Sequence, residues 1–261
     1  MTNTTRTLDY GERGTVLVVP DGEALAQSAA ELVVATVDAA AANDRKALVA
    51  LSGGSTPRQM GKYFAAGPML GRISWDNLHV FWGDERWVPL DDPESNAGEA
   101  MRGFLDHVPI PGDQVHPFVT EGIEPETSAR NLEHIIKILD PGSEIPRFDL
   151  ILLGMGDDGH TASLFPGTMA IHETDRLVFS HHVDKLNAMR LTFTPSLINA
   201  AKKVAFLVGG AGKAGMLANV LDGPIDIDHL PSQVVRPGNG DVTWIVDEAA
   251  AARLERNANH G

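Results

Sequence analysis

The sequence predicts an α/β protein of three layers, in which a mostly parallel sheet is covered by helices on both faces. Two observations support this fold class. Short runs rich in Val, Leu, Ile and Phe alternate along the chain with longer segments of helical pattern, and strands that alternate with helices favour a parallel sheet. The runs are also apolar almost throughout, as is typical of strands buried on both faces.

Each apolar run and each helical segment predicts one element. The predicted strands are Thr15–Val19, Ala47–Leu51, Leu78–Trp82, Leu150–Leu153, Leu191–Thr194, Val204–Val208 and Val242–Val246. The predicted helices are Glu23 to about Ala42, Arg58–Ala65, Ser95–Asp106, Glu126–Leu139, Ala214–Leu221 and Glu248 to about Arg256. The chain has no repeat of fixed period, and its Pro/Gly-rich pieces are too short to link domains. We therefore expect residues 1–261 to form a single domain.

Composition restricts the possible partners. With 35 acidic against 21 basic residues the formal net charge is −14, which repels nucleic acid and anionic membranes, so neither is an expected partner. The chain has no cysteine, which excludes disulfides and thiolate metal sites. The N-terminus lacks signal-peptide character, and no apolar run approaches the roughly 18 to 20 residues that span a bilayer. We expect a cytoplasmic protein, either a monomer or a weak homo-oligomer.

The most informative segment is FDLILLGMGDDGHTASLFPG, from Phe148 to Gly167, in which an apolar strand leads into a glycine-rich turn. Ligands of α/β proteins bind at such strand ends, so Asp158 and His160 suggest an acid and base pair. The alternative is an ordinary structural turn, since Asp-Gly and Gly-His are common turn sequences. Asp157 is interpreted as solvent-facing turn material.

The segment LSGGSTP, from Leu51 to Pro57, follows another predicted strand. Proline suits the first position of a helix, and Ser55 or Thr56 suits its cap, so free backbone N–H groups should face an anion there. Gly53 and Gly54 would allow a phosphate to approach closely. The segment also suits a plain strand-to-helix connection. It matches neither the Walker loop nor the dinucleotide pattern, so ATP and NAD are not indicated.

A third strand leads into VFWGDERWVPLDDPESNAG, from Val80 to Gly98. Charged residues directly after an apolar strand cost desolvation unless they pair or meet a ligand. Arg86 is a candidate anion ligand, because its guanidinium fits phosphate or carboxylate. Asp84 and Glu85 either bind sugar hydroxyls or hold Arg86 in place. The flanking tryptophans are expected to be core anchors.

Two further cations are candidate phosphate ligands. In FLVGGAGKAGML, from Phe206 to Leu217, Lys213 opens a helix after a glycine turn. A cation at that position opposes the helix dipole, and a bound anion would compensate for it. Arg190, at the beginning of a predicted strand, is the weaker candidate. Both residues would otherwise be solvated surface cations.

In order and spacing, the motifs LSGGSTP, WGDERWVP with ESNAG, GMGDDGHTASLFP and GGAGKA form one signature. Over nearly its whole length the chain resembles the 6-phosphogluconolactonases. The resemblance implies a Rossmann-like sheet related to the glucosamine-6-phosphate deaminase and ribose-5-phosphate isomerase-like fold. It also implies hydrolysis of 6-phospho-D-glucono-1,5-lactone to 6-phospho-D-gluconate, in the oxidative pentose phosphate pathway, without a cofactor. The expected partner is the sugar-phosphate lactone.

From these residues we derive a mechanistic hypothesis. His160 takes a proton from water, Asp158 orients the ring, and the hydroxide attacks the lactone carbonyl. Arg86 or backbone N–H groups stabilise the developing oxyanion. The predicted catalytic residues are His160, Asp158, Arg86 and Asp84. The predicted phosphate-binding residues are Gly53, Gly54, Ser55, Thr56, Arg86, Arg190 and Lys213.

Two alternative functions stay open. Glucosamine-6-phosphate deaminases share the Gly-x-Asp-Gly-His turn, but they typically carry a glutamate where this chain has Phe165, and Asp-Glu-Tyr where it has Asp84-Glu85-Arg86. Both departures favour a lactonase. A noncatalytic sugar-phosphate sensor is the second alternative, which the acidic charge and the lack of a helix-turn-helix segment disfavour.

Metal catalysis is not expected, although the chain has ten histidines. His181 and His182 beside Asp184 are the nearest approach to a metal motif. Adjacent residues on an extended strand point to opposite faces, and no His-Glu-x-x-His motif occurs.

Overall fold

The computed structural model describes residues 5–66, 69 and 71–255. Its strands are β1 (Arg6–Asp9), β2 (Thr15–Val19), β3 (Ala47–Leu51), β4 (Leu78–Trp82), β5 (Asp84–Arg86), β6 (Leu150–Leu153), β7 (Val178–Val183), β8 (Ala188–Phe193), β9 (Lys203–Val208) and β10 (Asp241–Asp247). Its α-helices are α1 (Gly22–Ala41), α2 (Ser55–Ala66), α3 (Asn96–Gly103), α4 (Pro125–Leu139), α5 (Pro195–Ala200), α6 (Ala214–Leu221) and α7 (Glu248–Ala251).

The main sheet has seven strands in the order β1-β2-β10-β9-β6-β3-β4. Every neighbouring pair is parallel except β1 and β2. Strands β3, β4 and β6 are buried along their whole length, because parallel strands are covered on both faces. The predicted mostly parallel sheet is therefore confirmed, and every predicted strand except Leu191–Thr194 belongs to it.

Helix α1 packs its apolar face against β3 and β10. It begins at Gly22, where the Asp21 carboxylate accepts a hydrogen bond from the N–H of Ala24 at 2.9 Å and so caps the helix. With 20 residues, α1 has the length and composition of a membrane span, which corrects the expectation that no apolar run approaches that length. Its buried residues recur at helical spacing on one face: Leu25, Ala26, Ala29, Ala30, Val33, Val34, Val37 and Ala40.

Several helix ends differ from the sequence prediction. Helix α2 begins at Ser55 instead of Arg58, since a proline at position 57 is tolerated in the first turn, where an N–H has no intrahelical partner. Helix α3 ends at Gly103, and its predicted last residue, Asp106, lies instead in a short 3₁₀ turn, Leu105–His107. Helix α7 ends at Ala251, and its predicted end near residue 256 lies outside the described residues.

A second, three-stranded antiparallel sheet has the order β5-β8-β7. The segment Leu191–Thr194, expected in the parallel sheet, lies in and just after β8, because a short apolar run does not specify which sheet it joins. The segment Asp84–Arg86, for which the sequence predicted no strand, is strand β5. Its register places Arg86 directly opposite Arg190.

The strand order determines where the glycine-rich turns meet. Strands β6, β3 and β4 are neighbours and parallel, so their carboxyl ends lie at one edge of the sheet. The turns after them begin at Gly154, Ser52 and Gly83. Three of the sequence motifs therefore converge at one edge, which is where α/β folds place ligands.

The opposite edge is held by a buried carboxylate. Asp149, which precedes β6, has a side chain that is only 5% exposed. It accepts hydrogen bonds from Arg45 at 2.7 Å, Lys202 at 2.8 Å and the N–H of Leu48 at 2.9 Å. Burial alone would raise the pKa of Asp149, but these three donors outweigh burial and lower it.

We expect Asp149→Ala to lower the free energy of unfolding at pH 7 by on the order of 2 kcal/mol, because Arg45, Lys202 and the N–H of Leu48 lose the buried carboxylate that accepts their hydrogen bonds. Since the folded-state pKa lies below the unfolded value, this stabilisation is present above about pH 4 and is lost as pH falls. Urea denaturation at pH 7 and near pH 3 would measure it. The exposed Asp106→Ala is the control, and a deficit independent of pH would contradict the expectation.

Candidate active site

Two adjoining cavities lie at the carboxyl edge of the main sheet. The glycine cavity, of about 190 Å³, is lined by the turns Ser52–Gly54 and Gly154–Gly156 and by Asn96. The arginine cavity, of about 450 Å³, is lined by Arg190, Lys185 and the Asp158 turn. Four residues line both cavities, which makes them one cleft: Asp84, Arg86, His160 and Ala162.

A larger cavity, of about 680 Å³, lies at the amino ends of β2, β9 and β10. Its size alone would make this cavity the candidate active site, but the residues that line it include no histidine and lie away from the three converging turns. The cleft around His160 is therefore the candidate active site.

His160 is held on three sides. Its Nδ1 hydrogen-bonds Oδ1 of Asp158 at 2.5 Å, and the ring stacks on Phe165 with centroids 4.2 Å apart. A Cβ added to Gly156 would lie 2.0 Å from Nδ1, so only glycine leaves room for the imidazole. Because Asp158 occupies Nδ1, the ring nitrogen left to accept a proton is Nε2.

The turn reaches this geometry through its glycines. The N–H of Gly156 donates to the carbonyl of His160 at 2.8 Å, which closes the turn. Gly159 has φ of +79°, a conformation that residues with a Cβ rarely adopt. The sequence GMGDDGH therefore folds back on itself and presents the acid and the imidazole on the same side.

Asp158 also binds a cation from the small sheet. Its Oδ2 accepts a hydrogen bond from Nζ of Lys185 at 2.8 Å. Burial by itself would raise the pKa of Asp158, but the hydrogen bonds from Lys185 and His160 outweigh burial and hold the pKa well below its usual range. The carboxylate therefore stays ionised beside His160 at any pH near neutrality.

Asp157 has a partner that sequence analysis does not anticipate. Its side chain is 87% exposed, as predicted, but its Oδ1 accepts a hydrogen bond from Nζ of Lys213 at 2.5 Å. The anion that compensates for Lys213 at the start of α6 is thus this carboxylate in the free protein. Lys213 does not line either cavity.

The predicted anion turn reaches the cleft through its glycines. Gly53 and Gly54 line the glycine cavity, and a Cβ on Gly53 would lie 1.9 Å from Oδ1 of Asn96. Ser55 and Thr56 are the first residues of α2 instead of its caps, and they do not line either cavity. These two residues form the N-terminus of α2, where the first backbone N–H groups have no partner within the helix.

The arginine cavity contains a like-charge pair. Arg86 and Arg190 are directly opposite across β5 and β8, so both side chains share one face, where like charges repel. Burial first, and the charge of Arg86 second, lower the pKa of Arg190. Nη1 of Arg86 donates to the carbonyl of Glu94 at 2.5 Å. A bound anion between the guanidiniums would relieve this repulsion.

The two acids of β5 have different surroundings. Asp84 lines both cavities, and its Oδ2 accepts a hydrogen bond from Oγ of Ser163 at 2.7 Å. Glu85 is buried and accepts from the N–H groups of Asn96 and Ala97, each at 2.8 Å, at the start of α3. Burial raises the pKa of Glu85 despite these donors. Glu85 therefore anchors α3 and does not line the cleft.

Several residues that line the cleft are absent from the predicted site, among them Lys185, Asn96 and Ser163. Lys185 lies in an unremarkable polar stretch between two strands, and nothing in the sequence identifies it. Asn96 belongs to the ESNAG motif, and Ser163 lies three residues after His160. Their place in these motifs is the sequence feature that could have identified them as site residues. Trp82, predicted as a core anchor, is fully buried.

His181 and His182 lie on β7 with different exposure. His181 is buried and its Nε2 bonds the carbonyl of Ser163 at 2.9 Å, whereas His182 is exposed and its Nδ1 bonds Asp184 at 2.9 Å. The prediction that they point to opposite faces is confirmed. Within residues 5–66, 69 and 71–255, no group of three or more His, Asp or Glu side chains is placed to hold a metal ion.

Comparison with known proteins agrees with this architecture. A family model for glucosamine-6-phosphate isomerases/6-phosphogluconolactonase matches residues 20–244. A 6-phosphogluconolactonase of Nostoc sp. is 41% identical over 92% of this chain and 98% of its own length. One of Mycobacterium tuberculosis is 36% identical over 91% of this chain and 97% of its own length.

Solved structures give the same result. The devB protein superposes with a TM-score of 0.85 at 33% identity, covering 92% of this chain and 98% of that one. A 6-phosphogluconolactonase from Trypanosoma cruzi superposes with a TM-score of 0.81 at 29% identity, covering 96% of this chain and 99% of that one. A monomeric glucosamine-6-phosphate deaminase, at 22% identity and a TM-score of 0.76, shares the fold.

Fold and cleft together define an α/β enzyme of Rossmann-like architecture with its site at the carboxyl edge of a parallel sheet, so the predicted fold class is confirmed. The chain belongs to the glucosamine-6-phosphate isomerase/6-phosphogluconolactonase family, as its motifs predicted.

We expect Gly156→Ala to displace the His160 ring and break its bond to Asp158, because the added methyl overlaps Nδ1. Long-range ¹H–¹⁵N spectra of the imidazole should show that His160 loses the Nδ1–H tautomer. Gly142→Ala adds the same methyl where no atom lies within 4 Å, so it should leave that spectrum unchanged. An unaltered tautomer in Gly156→Ala would refute the steric argument.

Proposed function

We propose that this protein hydrolyses 6-phospho-D-glucono-1,5-lactone to 6-phospho-D-gluconate, as a carboxylic ester hydrolase of the oxidative pentose phosphate pathway. The observation that carries the proposal is that the Asp158–His160 pair and the Arg86–Arg190 pair line one cavity. A general base and a doubly cationic anion site are the two functions that a phosphorylated lactone requires. The relatives at 36% to 41% identity are named 6-phosphogluconolactonase.

In this proposal His160 is the general base. Nε2 takes a proton from a water molecule, whose oxygen forms a bond to C1 of the lactone, and the carbonyl electrons move onto oxygen. Asp158, already bonded to Nδ1, stabilises the imidazolium. When the tetrahedral intermediate collapses, the bond from C1 to the ring oxygen breaks, and His160 returns its proton to that oxygen. The step needs water and no cofactor.

Arg86 has two possible partners in the substrate. It lines both cavities, so it is a candidate for the oxyanion at C1 as well as for the phosphate. N–H groups of the glycine turns are the other candidate oxyanion donors. Asp84, fixed by Ser163, is oriented to accept a hydrogen bond from a sugar hydroxyl.

The phosphate end of the substrate is assigned to Arg86 and Arg190, joined by the backbone N–H of Gly54, which lines the glycine cavity together with Arg86. The repulsion between the guanidiniums supports this assignment, because a dianion gains from both charges at once. Lys213 can contribute only if the phosphate draws it away from Asp157.

Phe165 argues against deaminase chemistry. The deaminase pattern has a glutamate at this position, whereas here an apolar ring stacks on His160. A phenyl group cannot transfer protons. We therefore favour lactone hydrolysis over deamination, and a catalytic role over that of a sensor. We also propose a single domain, a cytoplasmic location and a monomeric or weakly oligomeric state.

The wild-type protein should hydrolyse fresh lactone above the spontaneous rate, as measured by pH-stat or a coupled dehydrogenase assay. We expect His160→Ala to lower kcat by about 10²- to 10⁴-fold, with a small change in KM, because the general base is lost. His134→Ala, an exposed histidine on α4, is the matched control.

Two results would contradict the proposal in different ways. An unchanged kcat in His160→Ala would remove this residue from the mechanism. Turnover of glucosamine 6-phosphate without turnover of lactone would favour the deaminase alternative.

We expect Arg190→Ala to raise KM for the lactone by about 10- to 100-fold, with kcat changed much less, since one charge-assisted contact to a nonreacting phosphate is lost. Initial rates over a range of substrate concentrations would separate the two constants. Arg130→Ala removes the same charge from an exposed site on α4 and should leave KM unchanged. A fall in kcat alone would place Arg190 at the reacting end.

A further inference from the structure

Lys185 has a contact in the cleft that the proposed mechanism does not use. Its Nζ donates to Oδ2 of Asp158 at 2.8 Å, while Oδ1 of the same carboxylate bonds Nδ1 of His160 at 2.5 Å. Lysine, carboxylate and imidazole thus form a continuous chain of two hydrogen bonds. One end of this chain is the proposed general base, and the other is an ammonium group lining the arginine cavity.

The position of Lys185 comes from the small sheet. It lies in the turn Asp184–Leu186 that joins β7 to β8, and this turn closes at Asn187 with φ of +46°. Asparagine is among the few residues that tolerate such a left-handed conformation. The hairpin therefore projects Lys185 toward the turn that follows β6, and a residue of one sheet contacts the catalytic pair of the other.

We propose that Lys185 is a positioning residue that acts on His160 through Asp158: by sharing the Asp158 carboxylate, it favours the neutral, proton-accepting form of the imidazole. This inference rests on the proposed lactonase function and deepens it. Asp158 shares its charge between an ammonium and an imidazole, so it stabilises the imidazolium less than it would alone. Without Lys185, the full carboxylate charge would favour protonated His160.

With Lys185 included, three acidic and three basic side chains line the two cavities around His160. They come from β5, from the turn after β6, and from the β7–β8 hairpin and β8. Removal of Lys185 changes this balance by one unit close to the ring, whereas removal of a distant lysine does not. The charged side chains that line the two cavities with His160 are Asp84, Arg86, Asp157, Asp158, Lys185 and Arg190.

A competing role for Lys185 is direct binding of the phosphate, since it lines the same cavity as the arginines. Its side chain is 68% exposed, so it could in principle turn toward a ligand. The two roles predict different kinetics. A phosphate ligand acts on KM at every pH, whereas a residue acting through Asp158 changes the pH at which the base becomes protonated.

The first experiment is the pH profile of kcat/KM for the wild type, Lys185→Met and Lys185→Arg. In Lys185→Met, we expect the acidic side of the kcat/KM profile to lie at a pH that is higher by roughly 0.5 to 1 unit, because one positive charge several ångströms from the imidazole is lost. KM on the plateau should change less than twofold, and Lys185→Arg should restore the wild-type limb. Lys62→Met, an exposed lysine on α2, controls for net charge.

The second experiment does not depend on activity. An NMR titration of His160, assigned by its disappearance in His160→Gln, should show the same upward pKa shift in Lys185→Met as the kinetic limb. It therefore separates failure of this inference from failure of the lactonase assignment: a wild-type protein inactive on the lactone would still report the coupling of Lys185 to His160.

Either of two results would overturn the inference. One is a His160 titration in Lys185→Met that is unchanged, lowered, or shifted only as much as in Lys62→Met. The other is a large rise in KM with an unshifted pH profile, which would make Lys185 a phosphate ligand.

Discussion

The parallel pairing of β6, β3 and β4 is the constraint on which the cleft depends. Because neighbouring parallel strands end at the same edge, the turns that follow them must lie side by side. An antiparallel pairing of β3 with either neighbour would send one of the turns to the opposite edge. The burial of all three strands on both faces holds the arrangement in place.

Both sheets supply charged side chains to this edge. The main sheet carries the turn with Asp158 and His160, whereas the small antiparallel sheet carries Arg86, Arg190 and Lys185. Antiparallel register is what sets the two arginines directly opposite one another. The same hairpin then brings Lys185 to Asp158, so an ion pair links the sheets at the site itself.

Sequence reasoning was strongest where a local pattern has a single structural solution. The apolar runs of β3, β4 and β6 read as buried parallel strands, and the turn GMGDDGH had to present its side chains at a strand end. It failed where the deciding contact is distant in sequence. No local pattern reveals that Asp84–Arg86 pairs with β8, or that Glu85 turns inward to accept hydrogen bonds from the start of α3.

Distant ion pairs account for the other differences between the predicted and observed site. Lys213 and Lys185 each meet one carboxylate of the same Asp-Asp turn, 56 and 27 residues away in sequence. The prediction from single motifs treated Lys213 as free for a ligand and did not identify Lys185. In the folded chain the two lysines are already matched by acids, and their neutralisation of that turn prevents its carboxylates from repelling an incoming anion.

Unlike the two lysines, Arg86 and Arg190 are not paired with an acid of this turn, and the Asp84 carboxylate lines the same cavity. In a chain of net charge −14, a dianion approaches against the overall field, so local uncompensated charge must provide its attraction. The two guanidiniums provide this attraction, and their mutual repulsion in the free protein would be relieved by an anion bound between them. The attraction for an anion and the repulsion between the two arginines therefore have the same origin in the register of β5 and β8.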